Sequence, residues 1–113
     1  MITIYHNSRC RKSREGLEIL ENSGKPFEIR KYLEDVPTVN ELEELIDKLD
    51  IQPIELVRTN ETIWKDNFKG KKLSDTQIIK AMVENPKLIE RPIVINGNKA
   101  IIGRPPERII EII

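Results

Sequence analysis

Met1-Ile2-Thr3-Ile4-Tyr5-His6-Asn7-Ser8-Arg9-Cys10-Arg11-Lys12-Ser13 is the stretch on which the reading of the whole chain turns. An apolar run from Met1 to Tyr5 leads into a short polar loop, and Cys10 sits where a helical pattern begins. A cysteine at a helix N-terminus faces unpaired backbone N–H groups and the positive end of the helix dipole, both of which favour thiolate over thiol. Arg9, Arg11, Lys12 and Arg14 add positive charge nearby, and His6 lies within reach of the sulfur across the loop. A free thiol, with a pKa of about 8.5, is only a few per cent thiolate at neutral pH, whereas thiols at such helix ends titrate at roughly 3.5–7.5. A lone cysteine is commonly a small buried hydrophobe. Buried cysteines rarely sit among four cations, however, so the pattern points to a reactive thiol.

The 113 residues suit one domain with one core and no staples. Nineteen basic residues balance nineteen acidic ones, so no global field draws the protein to nucleic acid or to an anionic membrane. Basic residues crowd positions 9 to 14, as an anion site would require, and acidic ones crowd 34 to 50, as on a solvated face. No apolar run approaches the roughly 20 residues of a membrane span, and Met1 opens into a strand-like run rather than a signal region, so a cytoplasmic location is expected. One cysteine permits no internal disulfide, and any redox cycle must borrow a second thiol from another molecule. One Cys and one His match no zinc motif, so no metal is expected.

Ile2 to Tyr5 reads as a buried strand, and the helix after Cys10 carries Leu17 and Leu20 inward before Asn22-Ser23-Gly24 ends it with a C-cap glycine. Phe27 to Tyr32 alternates, with Phe27, Ile29 and Lys31 on one face and Glu28 and Arg30 on the other. Strand, helix, strand is a right-handed crossover, which puts the functional end at the carboxyl end of the first strand. From about residue 35 to 88 the pattern is helical: Thr38 with Glu41 and Ser74 with Gln77 form capping boxes, and shorter helical pieces surround Pro53 and Trp64. This is read as an insertion within a single domain of residues 1–113. Pro92 to Ile95 and Ala100 to Ile102 then flank Asn96-Gly97, a pair suited to a type I′ hairpin turn. Gly103-Arg104-Pro105-Pro106 starts a last helix, which Ile109, Ile110 and Ile113 are expected to anchor.

A βαβ unit with a cysteine opening its first helix, followed by a ββα unit entered through proline, resembles the thioredoxin fold, an α/β architecture with a mixed four-stranded sheet. His6-Asn7-Ser8-Arg9-Cys10 with Lys12-Ser13, Arg58, Arg91-Pro92 and Gly103-Arg104-Pro105-Pro106-Glu107 together resemble the glutaredoxin-dependent arsenate reductase (ArsC) family, over essentially the whole chain. The resemblance implies that Cys10 is the nucleophile, that His6 helps activate it, and that Arg58, Arg91 and Arg104 hold the oxyanion and its thiol adduct. It further implies a cis peptide before Pro92, glutathione as co-substrate with no bound cofactor, glutaredoxin as protein partner, and a monomer. Arginine suits a doubly charged tetrahedral anion because its planar fork gives paired, charge-assisted hydrogen bonds and never loses its charge.

Other roles remain open for these residues. Arg58 also fits a helix cap or a pair with Glu61, and Arg104 fits a surface position in a rigid turn. His6 fits a satisfied histidine at a strand end. Ser13, in the second-cysteine place of a Cys-x-x-Cys motif, either donates to the sulfur or finishes the first helical turn. Asn7 is either a loop-capping residue or an oxyanion ligand. Ser8 stands where the family usually has proline, and Arg11, a candidate oxyanion contact, is bulkier than the small residue usual there.

A thiolate phosphatase would want arginine six positions after the cysteine, where this chain has Gly16. Thioredoxin-coupled arsenate reductases need further cysteines. Redox-sensing regulators of the Spx type, which bind RNA polymerase, share the architecture but switch through Cys-x-x-Cys; with Ser13 only a thiol-independent binding role is open. A glutathione-linked thiol oxidoreductase acting on another substrate is the remaining alternative.

Overall fold

Ile2–Tyr5 forms β1, Arg11–Ser23 forms α1 and Phe27–Arg30 forms β2 in a computed structural model that describes residues 1–113. β2 lies parallel to β1 on one side, and β3 (Ile93–Asn96) lies antiparallel on the other, followed by β4 (Lys99–Ile102), giving the order β2-β1-β3-β4. This is the expected mixed four-stranded sheet. β1 is central because Ile2 and Ile4 alternate into the core, where they meet Leu20 of α1, Val94 of β3, Ile101 of β4 and Ile109. At about 1.5–3 kcal/mol for each such side chain, this cluster is the main force holding α1 to the sheet.

The chain forms two compact units, Met1–Asp35 with Arg91–Ile113, and Val36–Glu90. The second contains α2 (Val39–Leu49), α3 (Thr62–Asn67) and α4 (Asp75–Glu84), with 3-10 turns at Pro53–Leu56 and Pro86–Leu88. Both anticipated capping boxes are present: Thr38 and Glu41 exchange hydrogen bonds at α2, as do Ser74 and Gln77 at α4. Leu42, Leu45 and Ile46 of α2 are buried in this unit, as are Ile78, Ile79 and Met82 of α4.

Four local expectations are corrected. The hairpin turn is Gly97-Asn98, because Asn96 is still paired with Lys99 and with Ile2. Only Gly97 has a positive φ, 64°, which is the type II′ placement of glycine. Asn96 instead uses its side-chain amide to donate to the Ile112 carbonyl at 2.7 Å. The last helix, Pro106–Glu111, is 3-10. Three residues per turn align Pro106, Ile109 and Ile112, so Ile109 is fully buried while Ile110 is 63% exposed rather than an anchor. Lys31 lies beyond β2, which ends at Arg30. Ile29 is exposed because β2 is an edge strand with β1 on one side only.

Candidate active site

The carboxyl end of β1 runs directly into a loop closed by its own hydrogen bonds. His6 N–H continues the sheet by donating to the Arg30 carbonyl at 2.9 Å. Cys10 N–H then donates to the Asn7 carbonyl at 3.0 Å, and Arg9 N–H to Asn7 Oδ1 at 3.0 Å, so Asn7 folds the loop from both its backbone and its side chain. Arg14, one turn into α1, reaches back to the Ser8 carbonyl at 3.0 Å. The arginine thereby fastens the loop backbone at Ser8.

Cys10 is the N-cap of α1, with φ −95° and ψ 122°, and no side chain caps the first turn. The N–H groups that begin a helix have no intrahelical acceptor, and such an end favours negative charge beside it. Cys10 is neither fully buried nor fully exposed, so it has a path to solvent.

Behind the loop lies a pair of polar residues in an otherwise apolar interior. Ser13 is fully buried and His6 is 6% exposed, and Ser13 Oγ stands 2.7 Å from His6 Nδ1. The same oxygen accepts from Asn7 N–H at 3.0 Å. Burial holds the imidazole below its ordinary pKa, and Lys31 and Arg14 push it the same way, outweighing the opposite effects of a hydrogen bond to the Ser13 backbone and of Glu21. His6 also lines a small cavity of about 90 Å³ with Asn7, Ser8, Lys31, Leu33 and Glu34.

The register that pairs Tyr5 with Ile93 sets Arg91 and Pro92 at the same end of the sheet as His6. Arg91–Pro92 is cis, as expected, and Arg104–Pro105 is cis as well. Pro92 is wedged between two glycines: a Cβ on Gly16 would lie 3.0 Å from Pro92 Cγ and 2.9 Å from Ile109 Cδ1, and one on Gly103 would lie 3.0 Å from each of the same atoms. Arg104 Nη1 donates to the Arg91 carbonyl at 3.2 Å, which brings these two candidate anion ligands together.

Arg11 and Arg58 are placed differently. Arg11 is exposed and pairs with Glu15 at 3.1 Å along α1. Arg58 belongs to the second unit, where Nη1 meets Glu61 at 2.7 Å and Nε meets Glu90 at 3.7 Å. The Glu61 partner is readable from sequence at i, i+3; Glu90 is not, because the pairing of Val57 with Ile89 delivers it. The sequence also left unread the Asn7 turn, the Arg14 tether and the Ser13 contact, all of which depend on how the loop folds back. No group of three or more His, Cys, Asp or Glu is arranged to hold a metal ion, and no helix is long and apolar enough to cross a membrane.

This topology, with one cysteine at the N-cap position of the first helix and a cis-proline entering β3, defines a thioredoxin-like protein with a single thiol where its first helix begins. The chain belongs to the ArsC family, whose model matches residues 5–112. It is 46% identical over 114 residues to an arsenate reductase of Haemophilus influenzae, covering 99% of this chain and 98% of that one. An arsenate reductase of Escherichia coli is 39% identical over 113 residues, with 99% and 80% covered. Among solved structures, the arsenate reductase from Vibrio cholerae superposes with a TM-score of 0.94 at 45% identity, covering 99% of this chain and 97% of that one.

Proposed function

We propose that the protein reduces arsenate to arsenite, with Cys10 as nucleophile. The observation that carries this reading is Cys10 at the uncapped N-terminus of α1, in a chain similar along its length to proteins named arsenate reductase. Arg91 and Arg104, and Arg58 from the second unit, hold the arsenate oxygens, and the open N–H groups of the first turn and the Asn7 amide assist. Neutralising the anion precedes attack, since a thiolate approaching a bare dianion is repelled.

The sulfur of Cys10 bonds to arsenic as one oxygen leaves as water. A glutathione thiol then displaces a second water, so that arsenic carries both sulfurs. A glutaredoxin thiolate attacks the glutathione sulfur and forms a mixed disulfide, and the electron pair of the broken S–As bond stays on arsenic, reducing As(V) to As(III). Water finally takes the place of Cys10 on arsenic, releasing arsenite and the thiol. The two electrons come from the two external thiols, as a chain with one cysteine requires. In this reading the protein is a cytoplasmic monomer of one domain, with residues from about 35 to 88 as an insertion; the family match runs through both units.

The test is arsenite formation with glutathione and glutaredoxin, alongside Cys10 alkylation with and without arsenate. Activity lost in Cys10→Ser and alkylation slowed by arsenate support the reading. Alkylation indifferent to arsenate, with no arsenite produced by the wild type, would end it.

A further inference from the structure

We propose that Ser13 is a positioning residue that fixes His6 as the neutral tautomer with its proton on Nε2, making His6 a hydrogen-bond donor to the reacting centre and not a base. A serine hydroxyl has one proton and two lone pairs. Ser13 Oγ has two partners, Asn7 N–H at 3.0 Å and His6 Nδ1 at 2.7 Å. Asn7 can only donate, so one lone pair is taken. If Nδ1 also carried a proton, the oxygen would accept twice and its own proton would be left without an acceptor in a fully buried site. Leaving a buried donor unsatisfied carries the full desolvation penalty of that group, enough to select the other tautomer. The hydroxyl therefore donates to Nδ1, and the imidazole proton sits on Nε2.

Burial and the neighbouring cations disfavour imidazolium independently of this count. His6 turns Nδ1 towards Ser13 and borders the small cavity beside Asn7 and Ser8. A neutral N–H there complements an acceptor, either a thiolate sulfur or an oxyanion oxygen. Ser13 is thereby fully engaged by His6 and Asn7, and its hydroxyl proton is not offered to Cys10. The tautomer itself stands apart from the arsenate reading; only its catalytic use rests on that reading.

His6 is the only histidine, so its two ring nitrogens can be observed without ambiguity by ¹⁵N-labelled NMR of the full chain. The expected result near neutral pH is a protonated Nε2 and a hydrogen-bonded, unprotonated Nδ1. A protonated Nδ1, alone or in imidazolium, overturns the proposal with no variant needed. Ser13→Ala, with its fold checked by circular dichroism, should release the tautomer preference and slow Cys10 alkylation by about fivefold, the equivalent of one hydrogen bond. Ser13→Thr, which keeps the hydroxyl, should restore both. A Ser13→Ala protein that keeps the wild-type tautomer and alkylation rate would remove Ser13 from the role. Protection of Cys10 by arsenate reads the functional proposal separately: its failure beside the expected tautomer sinks the substrate and not the hydrogen-bond assignment.

Discussion

Ser13 Oγ and His6 Nδ1 lie 2.7 Å apart in a site closed to solvent, seven residues apart in sequence. The bond spans the junction between β1 and α1, so the loop bearing Cys10 is fixed at its base by the residue that follows the strand and a residue of the helix together.

His6 gives stability a pH dependence whose sign follows from its lowered pKa, caused first by burial and then by Lys31 and Arg14. As pH falls through about 6.5, the unfolded chain protonates His6 while the folded chain does not, so the unfolded state binds more protons and stability drops. Below the folded-state value both forms are protonated and the His6 contribution is level again. Urea midpoints measured from neutral to mildly acid pH should fall more steeply in the wild type than in His6→Gln. Parallel slopes would mean that His6 titrates alike in both states.

Gly16→Ala should destabilise the protein although alanine is the better helix former. The helical gain is about 1 kcal/mol, but the new methyl meets Ile109 Cδ1 at 2.9 Å and the rigid Pro92 ring at 3.0 Å. Overpacking of this kind costs about 1–3 kcal/mol, so a net loss of about 1 kcal/mol is expected in urea unfolding. A gain in stability would show that the Pro92 wedge yields.

What the sequence made legible was whatever depended on near neighbours. The Thr38–Glu41 and Ser74–Gln77 boxes close within one helical turn, and Gly24 ends α1 with a φ of 73°, so local chemistry determined them. The hairpin is legible but the Asn96-Gly97 signal sets its turn one residue early, because the pairing of Asn96 with Ile2, 94 positions away, overrides the taste of asparagine for turns. Ile110 reads as an anchor only on α-helical spacing, and the segment that follows the two prolines is 3-10. Cys10 and its cations were legible as a site, since strand, loop and helix start are contiguous. The partners of Asn7 and Ser13, and the Glu90 partner of Arg58, were not, since each of those bonds depends on a loop or bridge whose path no short window records.

Arg58 and Arg91 should fail differently. Arg58→Ala strips the cation from Glu61 and Glu90 at a site where its side chain is 17% exposed, and a loss of about 1–2 kcal/mol is expected. Arg91→Ala should weaken arsenate protection of Cys10 more than Arg58→Ala does. Comparing unfolding curves with arsenate-dependent alkylation separates the two effects, and equal protection in wild type and both variants would remove the anion clamp.

Thr38→Ala removes half of a capping box at α2, where Thr38 Oγ1 accepts from Glu41 N–H at 3.1 Å. A cost of about 1 kcal/mol is expected from denaturant unfolding, with Cys10 alkylation unchanged. An altered alkylation rate would reveal coupling between the α2 cap and the thiol.

Gly97 and Asn98 are exposed, and β3 carries the chain from Pro92 to this turn over four residues, roughly 13 Å at strand rise. That separation makes the tip a practical port for an inserted epitope or a fluorophore-bearing cysteine. A reporter attached there would sit at the far end of the sheet from Arg91, Pro92 and His6, free to follow encounters with a thiol-carrying partner without standing in their way.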